Sequence, residues 1–377
     1  MKKLIYHIGT YKTGSTSLQY FLLNNHKHFE NLGMGVFVPK EAYPNPLRQK
    51  PALRKLEGPD HTGAFLNRHI ELDDPTNYIK TFGEDGYNMS VNSDRINMAA
   101  FKKYLAKYDT VIVSREGTYK ISLDFWTKFS QLMAELEISA VQFVLYIRRQ
   151  DQYIDSYYRE TVRANVFALD MNGVLEKPKN DFDYYAAVSR LEQVFGEGCV
   201  ILRRYGPEYL VNGDIRQDFC SALNIPWKSD FDIRKNKNPS YSYDITEVKR
   251  LANLAPSYTF GANFLSRDCE RCIPVIKDHP SEALFSSEDA RRIMALYANG
   301  NRILSERFFD GEPLFDEVED GIAAWKRDSD RVLDAAVIVL TQELTRQKNW
   351  IDHLEKILMV PRLRKLKHRL TSRNIIK

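Results

Sequence analysis

The densest chemistry in the chain lies in eight residues near its start, Gly9-Thr10-Tyr11-Lys12-Thr13-Gly14-Ser15-Thr16. Hydroxyls, two glycines and one lysine in so short a stretch suit an anion-binding loop. The flanks agree. Leu4 to Ile8 is a short apolar run that fits a buried strand, and Ser17 to Leu23 places Leu18, Phe21 and Leu22 at helical offsets. A strand, a glycine-bounded loop and a helix start form a cradle, because the first-turn N–H groups point at the ligand and the helix dipole adds about half a positive charge there. The spacing is close to the phosphate-binding pattern G-x-x-x-x-G-K-[ST]. Gly9 and Gly14 keep its separation and Thr16 its hydroxyl, but Ser15 stands where the lysine belongs, and Lys12 comes three residues earlier. ATP-dependent phosphotransfer needs that lysine on the β- and γ-phosphates, with Mg²⁺ beside it. Lys12 instead puts the cation on the other side of the loop, suited to one anionic group with a leaving oxygen to stabilise. Taken alone, the pattern leaves open a strand–turn–helix that binds nothing.

The rest of the chain supplies the elements that must hold this loop. Gly35 to Pro39 reads as a short second strand. Residues 40–93, rich in Pro, Gly, Asn and Asp, read as an irregular insertion with short helices facing the substrate. Met98 to Tyr108 is helix-compatible and leads into the β-branched strand Thr110–Val113, which ends in Ser114-Arg115-Glu116-Gly117. An amphipathic helix spans about Leu123 to Leu136, and Ala140 to Ile147 is the strongest strand pattern of all. Strands alternating with helices predict an α/β fold built on a parallel, doubly wound sheet. Ligands in such sheets bind beyond the carboxyl ends of the strands, so the residues just after Ile8, Val113 and Ile147 are expected to share one site. Arg148 leaves the third of these strands, and Ser156 follows on a helix eight residues later. The planar fork of arginine grips a phosphate with two hydrogen bonds, and a serine hydroxyl can complete the grip. A solvated arginine at an exposed helix start would explain Arg148 equally well.

Together these two stretches resemble the sulfotransferases that use 3′-phosphoadenosine 5′-phosphosulfate (PAPS), in particular bacterial carbohydrate-type members. In that family a strand leads into K-[TS]-G-[ST]-[TS], which here is Lys12-Thr13-Gly14-Ser15-Thr16, continued by Ser17. A second motif, an Arg at a strand end and a Ser eight residues on, holds the 3′-phosphate and matches Arg148 and Ser156. The resemblance extends loosely over about Lys3 to Phe315, including the strand Val200–Tyr205, the helix near Gly213–Phe219 and the loop Asn236–Ser240. It implies a P-loop-type parallel sheet flanked by helices, with PAPS as co-substrate and no metal. It also implies roles. Lys12 would neutralise the departing oxygen, and Thr13, Gly14, Ser15, Thr16 and Ser17 would cradle the phosphosulfate. Sulfuryl transfer needs a base for the acceptor hydroxyl, and Glu116 is the first candidate, with His61 the second. A charged loop residue paired with Arg115 is the plainer account of Glu116. The acceptor implied is a carbohydrate hydroxyl on a surface polysaccharide or glycolipid. An ATP-dependent phosphotransferase and a non-catalytic nucleotide-binding adaptor stay open as alternatives.

Other residues read more plainly. His7, inside the first strand, suits a packed or supporting histidine. Cys269-Glu270-Arg271-Cys272 is a lone C-x-x-C, and the sequence offers no second ligand pair for a structural zinc. Tyr153, Tyr157 and Tyr158, like Tyr241 and Tyr243, suit helix packing better than ligand stacking.

The chain has 377 residues, 43% hydrophobic and 28% charged, as an ordinary globular protein does. Its formal charge is +4, yet Pro361 to Lys377 alone holds seven Lys/Arg and no acid. The remainder is slightly acidic, which argues against nucleic-acid binding. Four cysteines and no signal-like start predict a reducing, cytoplasmic setting. The expected organisation is a domain over 1–315 and a C-terminal helical extension with a basic tail over 316–377. Beyond Ser287 the pattern is helical, first over Ala290–Phe309 and then over Val332–Met359, where Val332, Leu333, Ala336, Val339, Leu340, Leu344, Ile351, Leu354 and Leu358 suit a short coiled coil or an arm docking on a partner subunit. The basic tail suits either solvent or the inner face of an anionic membrane.

Overall fold

The structure, a computed structural model, describes residues 1–37, 66, 70, 95–163, 182–233, 240–254 and 266–349. His61, most of the 40–93 insertion, the loop up to Pro239 and the basic tail lie outside them. The described residues fall into two compact units. The first draws on Met1–Ile154, Lys177–Lys237 and Ala290–Val318, and the second on 155–176, 238–289 and 319–377.

The first unit is an α/β sandwich. Its sheet has five strands: β1 (Lys2–Gly9), β2 (Met34–Val36), β3 (Thr110–Ser114), β4 (Ile138–Ile147) and β5 (Val200–Arg204). They lie in the order β2-β3-β1-β4-β5, and every neighbouring pair is parallel. From β1 the chain runs out to the edge strand β2 and returns to β3 beside β1, then crosses to build β4 and β5 outward on the other side. β1 therefore sits between β3 and β4, where the winding direction reverses and a crevice opens beyond the strand ends.

Both sheet faces are covered, which explains why β1 buries consecutive residues from Leu4 onward rather than alternate ones. On one face Ile5, Ile112 and Val144 meet Leu18, Phe21 and Leu22 of α1 (Ser15–Asn24) and Ile215 and Phe219 of α7 (Ile215–Ala222). On the other, Tyr6 stacks on Phe129 of α4 (Leu123–Glu135), and Phe143 meets Trp126 of α4 and Phe195 of α6 (Tyr184–Phe195) edge-on. The intervening helices are α2 (His26–Asn31), α3 (95–105) and α5 (Gln150–Arg163).

Asp218 ties α7 to the sheet. Fully buried, it accepts from the Tyr146 hydroxyl of β4 at 2.8 Å, from Arg203 of β5 at 2.9 and 2.5 Å, and from the Val211 N–H at 3.2 Å. Burial, then the Asp218 charge, raises the Tyr146 phenol well above its ordinary pKa. Asp214 caps the same helix through the Arg216 N–H at 2.9 Å.

The second unit packs α8 (Tyr243–Asn253), α9 (Ser266–Cys272) and α11 (329–349) around Tyr241, Ile245, Val248, Val332 and Val339. Cys269 and Cys272 are buried here as free thiols. Arg159 organises its polar centre. It bonds Asp155 at 2.7 Å, Asp278 at 2.7 Å and the Tyr241 carbonyl at 3.0 Å, and it lies 4.2 Å from the Tyr243 ring centroid. Charges this buried persist because each is paired.

The helical pattern beyond Ser287 is interrupted. α10 spans Ser287–Phe308, but Asp310 and Gly311 turn left-handed (φ 54° and 83°) and Pro313 follows, ending the helix. A two-residue strand β7 (Ala323–Ala324) then pairs with β6 (Glu282–Ala283) before α11 begins. No helix among the described residues is long and apolar enough to cross a membrane.

Two outcomes follow from these packings. Asp218→Ala strands the Tyr146 hydroxyl and the Arg203 guanidinium, and should cost about 3 kcal/mol in urea unfolding; a loss below about 1 kcal/mol would dismiss the clamp. Lys249 is 1% exposed and donates to Asn253. Burial pulls its ammonium from 10.5 down to about 8, against a smaller upward pull from Cys269. The unfolded chain thus binds more protons between those two values, so Lys249 weakens the fold below them and the penalty fades as pH rises. The stability gained by Lys249→Met, read from melting curves, should be largest near neutral pH and shrink toward pH 10.5; a pH-independent gain would contradict this.

Candidate functional site

The site grows from the end of β1. Gly9 has φ +113°, and a Cβ there would lie 2.9 Å from the Gly117 nitrogen and 3.4 Å from the Glu116 Cα. The two chains pass backbone to backbone at this point, which only glycine allows. Gly117 repeats the constraint from the other side. Its φ is +80°, and a Cβ would stand 2.1 Å from the Tyr11 hydroxyl oxygen. Tyr11 therefore lies across Gly117, with Lys120 Nζ 5.7 Å from its ring centroid.

The loop after Gly9 is held from inside. The Thr10 N–H donates to the Tyr146 carbonyl of β4 at 2.8 Å. The Thr10 carbonyl accepts from Thr13 Oγ1 at 2.7 Å and Ser15 Oγ at 3.1 Å. Thr13 and Ser15 are buried, so these hydroxyls serve the loop itself, whereas Lys12, Thr16 and Ser17 are half-buried at its rim. Lys12 takes a left-handed φ of 60°, a conformation that costs a non-glycine residue about 1–2 kcal/mol. Gly14 takes φ 72° at the cap of α1, where a Cβ would sit 3.2 Å from Ile215 and 3.3 Å from Tyr205. α7 and the exit of β5 thus close on the loop from that side.

α1 starts with no side-chain cap and no acid in its first turn. Its first N–H groups have no partner within the helix, and no carboxylate of that turn competes for its positive end. With Lys12 at the rim, the loop presents positive potential from backbone and side chain together.

Glu116 is half-buried beside Gly9, within a turn tied by Arg115 N–H to the His7 carbonyl at 2.9 Å and by Thr118 Oγ1 to the Arg115 carbonyl at 3.1 Å. His7 is fully buried beneath, its Nδ1 2.8 Å from Ser114 Oγ and its ring edge-on to Tyr146. Arg148 leaves β4 on the opposite flank. Its carbonyl accepts from the Tyr184 hydroxyl at 2.7 Å, and its Nε donates to Gln152 at 3.0 Å. Burial raises the Tyr205 phenol pKa and the Arg148 charge partly offsets this, so Tyr205 lies near Arg148 as well as against Gly14.

The first unit thus sets Lys12, Thr13, Gly14, Ser15, Thr16 and Ser17 at the end of β1, with Glu116 following β3 on one side and Arg148 following β4 on the other. Ser156 is half-buried on α5, in the stretch belonging to the second unit. His61 lies outside the described residues. Tyr153 spends its hydroxyl on Tyr119 at 2.9 Å and packs on Phe182. Sequence reasoning did not single out Tyr11, Gly117 and Tyr205. Gly117 directly follows Glu116, and that adjacency was the available sign; nothing local marks Tyr205.

No family model matches the chain. An uncharacterized protein from Archaeoglobus fulgidus is 27% identical over 223 residues, covering 58% of this chain and 58% of that protein, less than two thirds of its length. Among solved structures, the chain is similar to a sulfotransferase domain from the curacin biosynthetic pathway, with a TM-score of 0.37 and 12% identity over 79% of this chain and 98% of that one.

The close approach at Gly9 has a matched control. Gly33 also has a positive φ, of 76°, but open space where a Cβ would go. Gly9→Ala should therefore destabilise more than Gly33→Ala, by about 1 kcal/mol or more, in parallel denaturation curves. Equal losses would mean that Gly9 is needed only for its backbone angle.

Proposed function

We propose that this chain is a sulfotransferase that moves a sulfuryl group from PAPS to a carbohydrate hydroxyl. The observation that carries the reading is the cradle itself: an uncapped α1 N-terminus, a rim lysine at position 12, and Ser15 folded inward where a phosphotransferase would extend its lysine. Such a loop suits a single phosphosulfate better than a metal-bound triphosphate.

The chemistry is an in-line displacement at sulfur. The acceptor oxygen attacks, the bond between sulfur and the bridging phosphate oxygen breaks, and the bisphosphate leaves with the electron pair. The α1 N–H groups and the Thr16 and Ser17 hydroxyls hold the phosphosulfate. The Lys12 ammonium neutralises the bridging oxygen as charge collects there. Glu116, placed by the backbone contact at Gly9, takes the acceptor proton. Arg148, at the exit of β4, grips the 3′-phosphate. The carbohydrate acceptor rests on the family resemblance of the two motifs, and a cytoplasmic location on the cysteine usage.

Calorimetry with adenosine 3′,5′-bisphosphate and with Mg-ATP tests the donor. Tight binding of the bisphosphate without metal, weakened by Arg148→Ala, is expected; preference for Mg-ATP would replace this reading with phosphotransfer, and binding of neither would overturn it. In a sulfuryl-transfer assay, Lys12→Ala should lower kcat about 10²-fold or more. Glu116→Gln should lower it by about 10²–10⁴-fold with bisphosphate affinity unchanged; full activity in Glu116→Gln would move the base elsewhere.

A further inference from the structure

β1 and its exit hold the turn that carries Glu116 step by step. The paired register of β1 with β3 ends at His7 beside Ser114. There His7 Nδ1 stands 2.8 Å from Ser114 Oγ, and the His7 carbonyl accepts from the Arg115 N–H at 2.9 Å. Two residues on, Gly9 passes against the backbone of Glu116 and Gly117. Two further on, Tyr11 closes over Gly117. A Cβ on Gly117 would stand 2.1 Å from the Tyr11 hydroxyl oxygen, 2.3 Å from its Cζ and 2.8 Å from its Cε2. The phenol end of the ring thus fills the notch that the missing side chain leaves. Lys120, from the short helical turn Thr118–Lys120, sets its Nζ 5.7 Å from the same ring's centroid, near the outer limit of cation–π attraction. Tyr119 in that turn is buried, and its hydroxyl meets that of Tyr153 at 2.9 Å, which pins the turn to α5.

The two glycine contacts differ in kind. Gly9 meets backbone, which cannot give way. Gly117 meets the far end of a side chain, which can swing aside. A left-handed turn by itself needs no such neighbour, since Gly33 makes one with open space around it. At Gly117 the space is taken by a ring from the residue directly before Lys12. Tyr11 is therefore joined to Lys12 through the chain and to the residue after Glu116 through packing.

We propose that Tyr11 is a positioning residue for sulfuryl transfer: seated in the Gly117 notch, its ring fixes the Glu116 turn relative to Lys12 and so sets the gap between the acceptor's base and the leaving oxygen. This role rests on the sulfotransferase reading above. The donor cradle does not need the ring, because the Thr13 and Ser15 hydroxyls hold it through the Thr10 carbonyl. Losing the ring loosens Glu116 and leaves the cradle standing. The effect is bounded on both sides. Misplacing a reacting group by about 1 Å costs about 10²-fold, and the loss cannot exceed that of removing the base, about 10²–10⁴-fold.

Turnover of PAPS with a panel of p-nitrophenyl glycosides as acceptors, alongside calorimetry with the bisphosphate, tests this. Tyr11→Ala should lower kcat about 10²-fold and change bisphosphate affinity by less than about threefold. In a Glu116→Gln background the same substitution should cost less than about threefold, because a residue that acts through Glu116 then has nothing left to position. Tyr11→Phe keeps the ring in the notch and should recover most of the loss. Gly117→Ala expels the ring and should reproduce Tyr11→Ala, and the two together should cost little more than either alone. Wild-type kcat in Tyr11→Ala overturns the role, as does the full loss repeated in the Glu116→Gln background. A fall in bisphosphate affinity that matches the fall in kcat also overturns it, by making Tyr11 part of the cradle. A wild-type chain that binds the bisphosphate but turns over PAPS with none of the glycosides removes the role of Tyr11 and keeps the donor site. One that binds no bisphosphate fails earlier, at the sulfotransferase reading, and the role falls with it.

Discussion

The candidate site depends on how one peptide unit, that of Thr10, is satisfied. Thr10 is fully buried, its N–H is spent on β4, and its carbonyl takes the hydroxyls of Thr13 and Ser15. Those bonds fold the loop's polar side chains inward and leave the outer rim to Lys12, Thr16, Ser17 and the start of α1. The magnitudes are compatible. Three hydrogen bonds of about 1 kcal/mol net each offset the roughly 1–2 kcal/mol needed to hold Lys12 left-handed. Without them the loop would relax, and the α1 N–H groups would lose the lysine held beside them.

Sheet topology supplies the second constraint. Placing β1 between β3 and β4 brings three strand ends to one crevice, each delivering a different kind of group: backbone donors and Lys12 from β1, Glu116 from β3 and Arg148 from β4. The approach is close enough that Gly9 and Gly117 tolerate no side chain. The walls are as specific as the floor. Tyr205 and Ile215 crowd Gly14, and both are positioned by β5 and α7, which Asp218 locks together. A buried carboxylate remote from the loop thereby governs how closely the loop is packed.

The second unit solves a different problem. α8 buries Ser242 at its cap together with Asp244, Thr246, Glu247 and Lys249, an unusual load of polar groups for one helix. Partners answer most of it. Asp244 accepts from Trp325 Nε1 at 3.0 Å and Arg331 at 3.1 Å, Glu247 pairs with Arg250 at 2.7 Å, and Lys249 donates to Asn253. Burial is the larger influence on Lys249 and pulls its ammonium pKa down, against a smaller upward pull from Cys269.

Much of this was legible in the sequence because it is local. The run Leu4–Ile8, the two glycines around Lys12 and the helical offsets after Ser17 specify strand, loop and helix within about twenty residues, and the structure has β1 and α1 there. Strands at Thr110 and Ala140 were readable because covered parallel strands are continuously apolar. The helix predicted over Ala290–Phe309 was legible in the same way, and the structure ends α10 at Phe308, where Asp310 and Gly311 turn left-handed. What only tertiary structure decided is non-local. Strand order placed Glu116 and Arg148 on opposite flanks of one loop, and β5 brought Tyr205 against Gly14. It also turned Thr13 and Ser15 inward while leaving Thr16 and Ser17 at the rim. Residue types could nominate all of these hydroxyls as donors. Which of them the fold consumes depends on where a buried carbonyl ends up, and no local spacing encodes that.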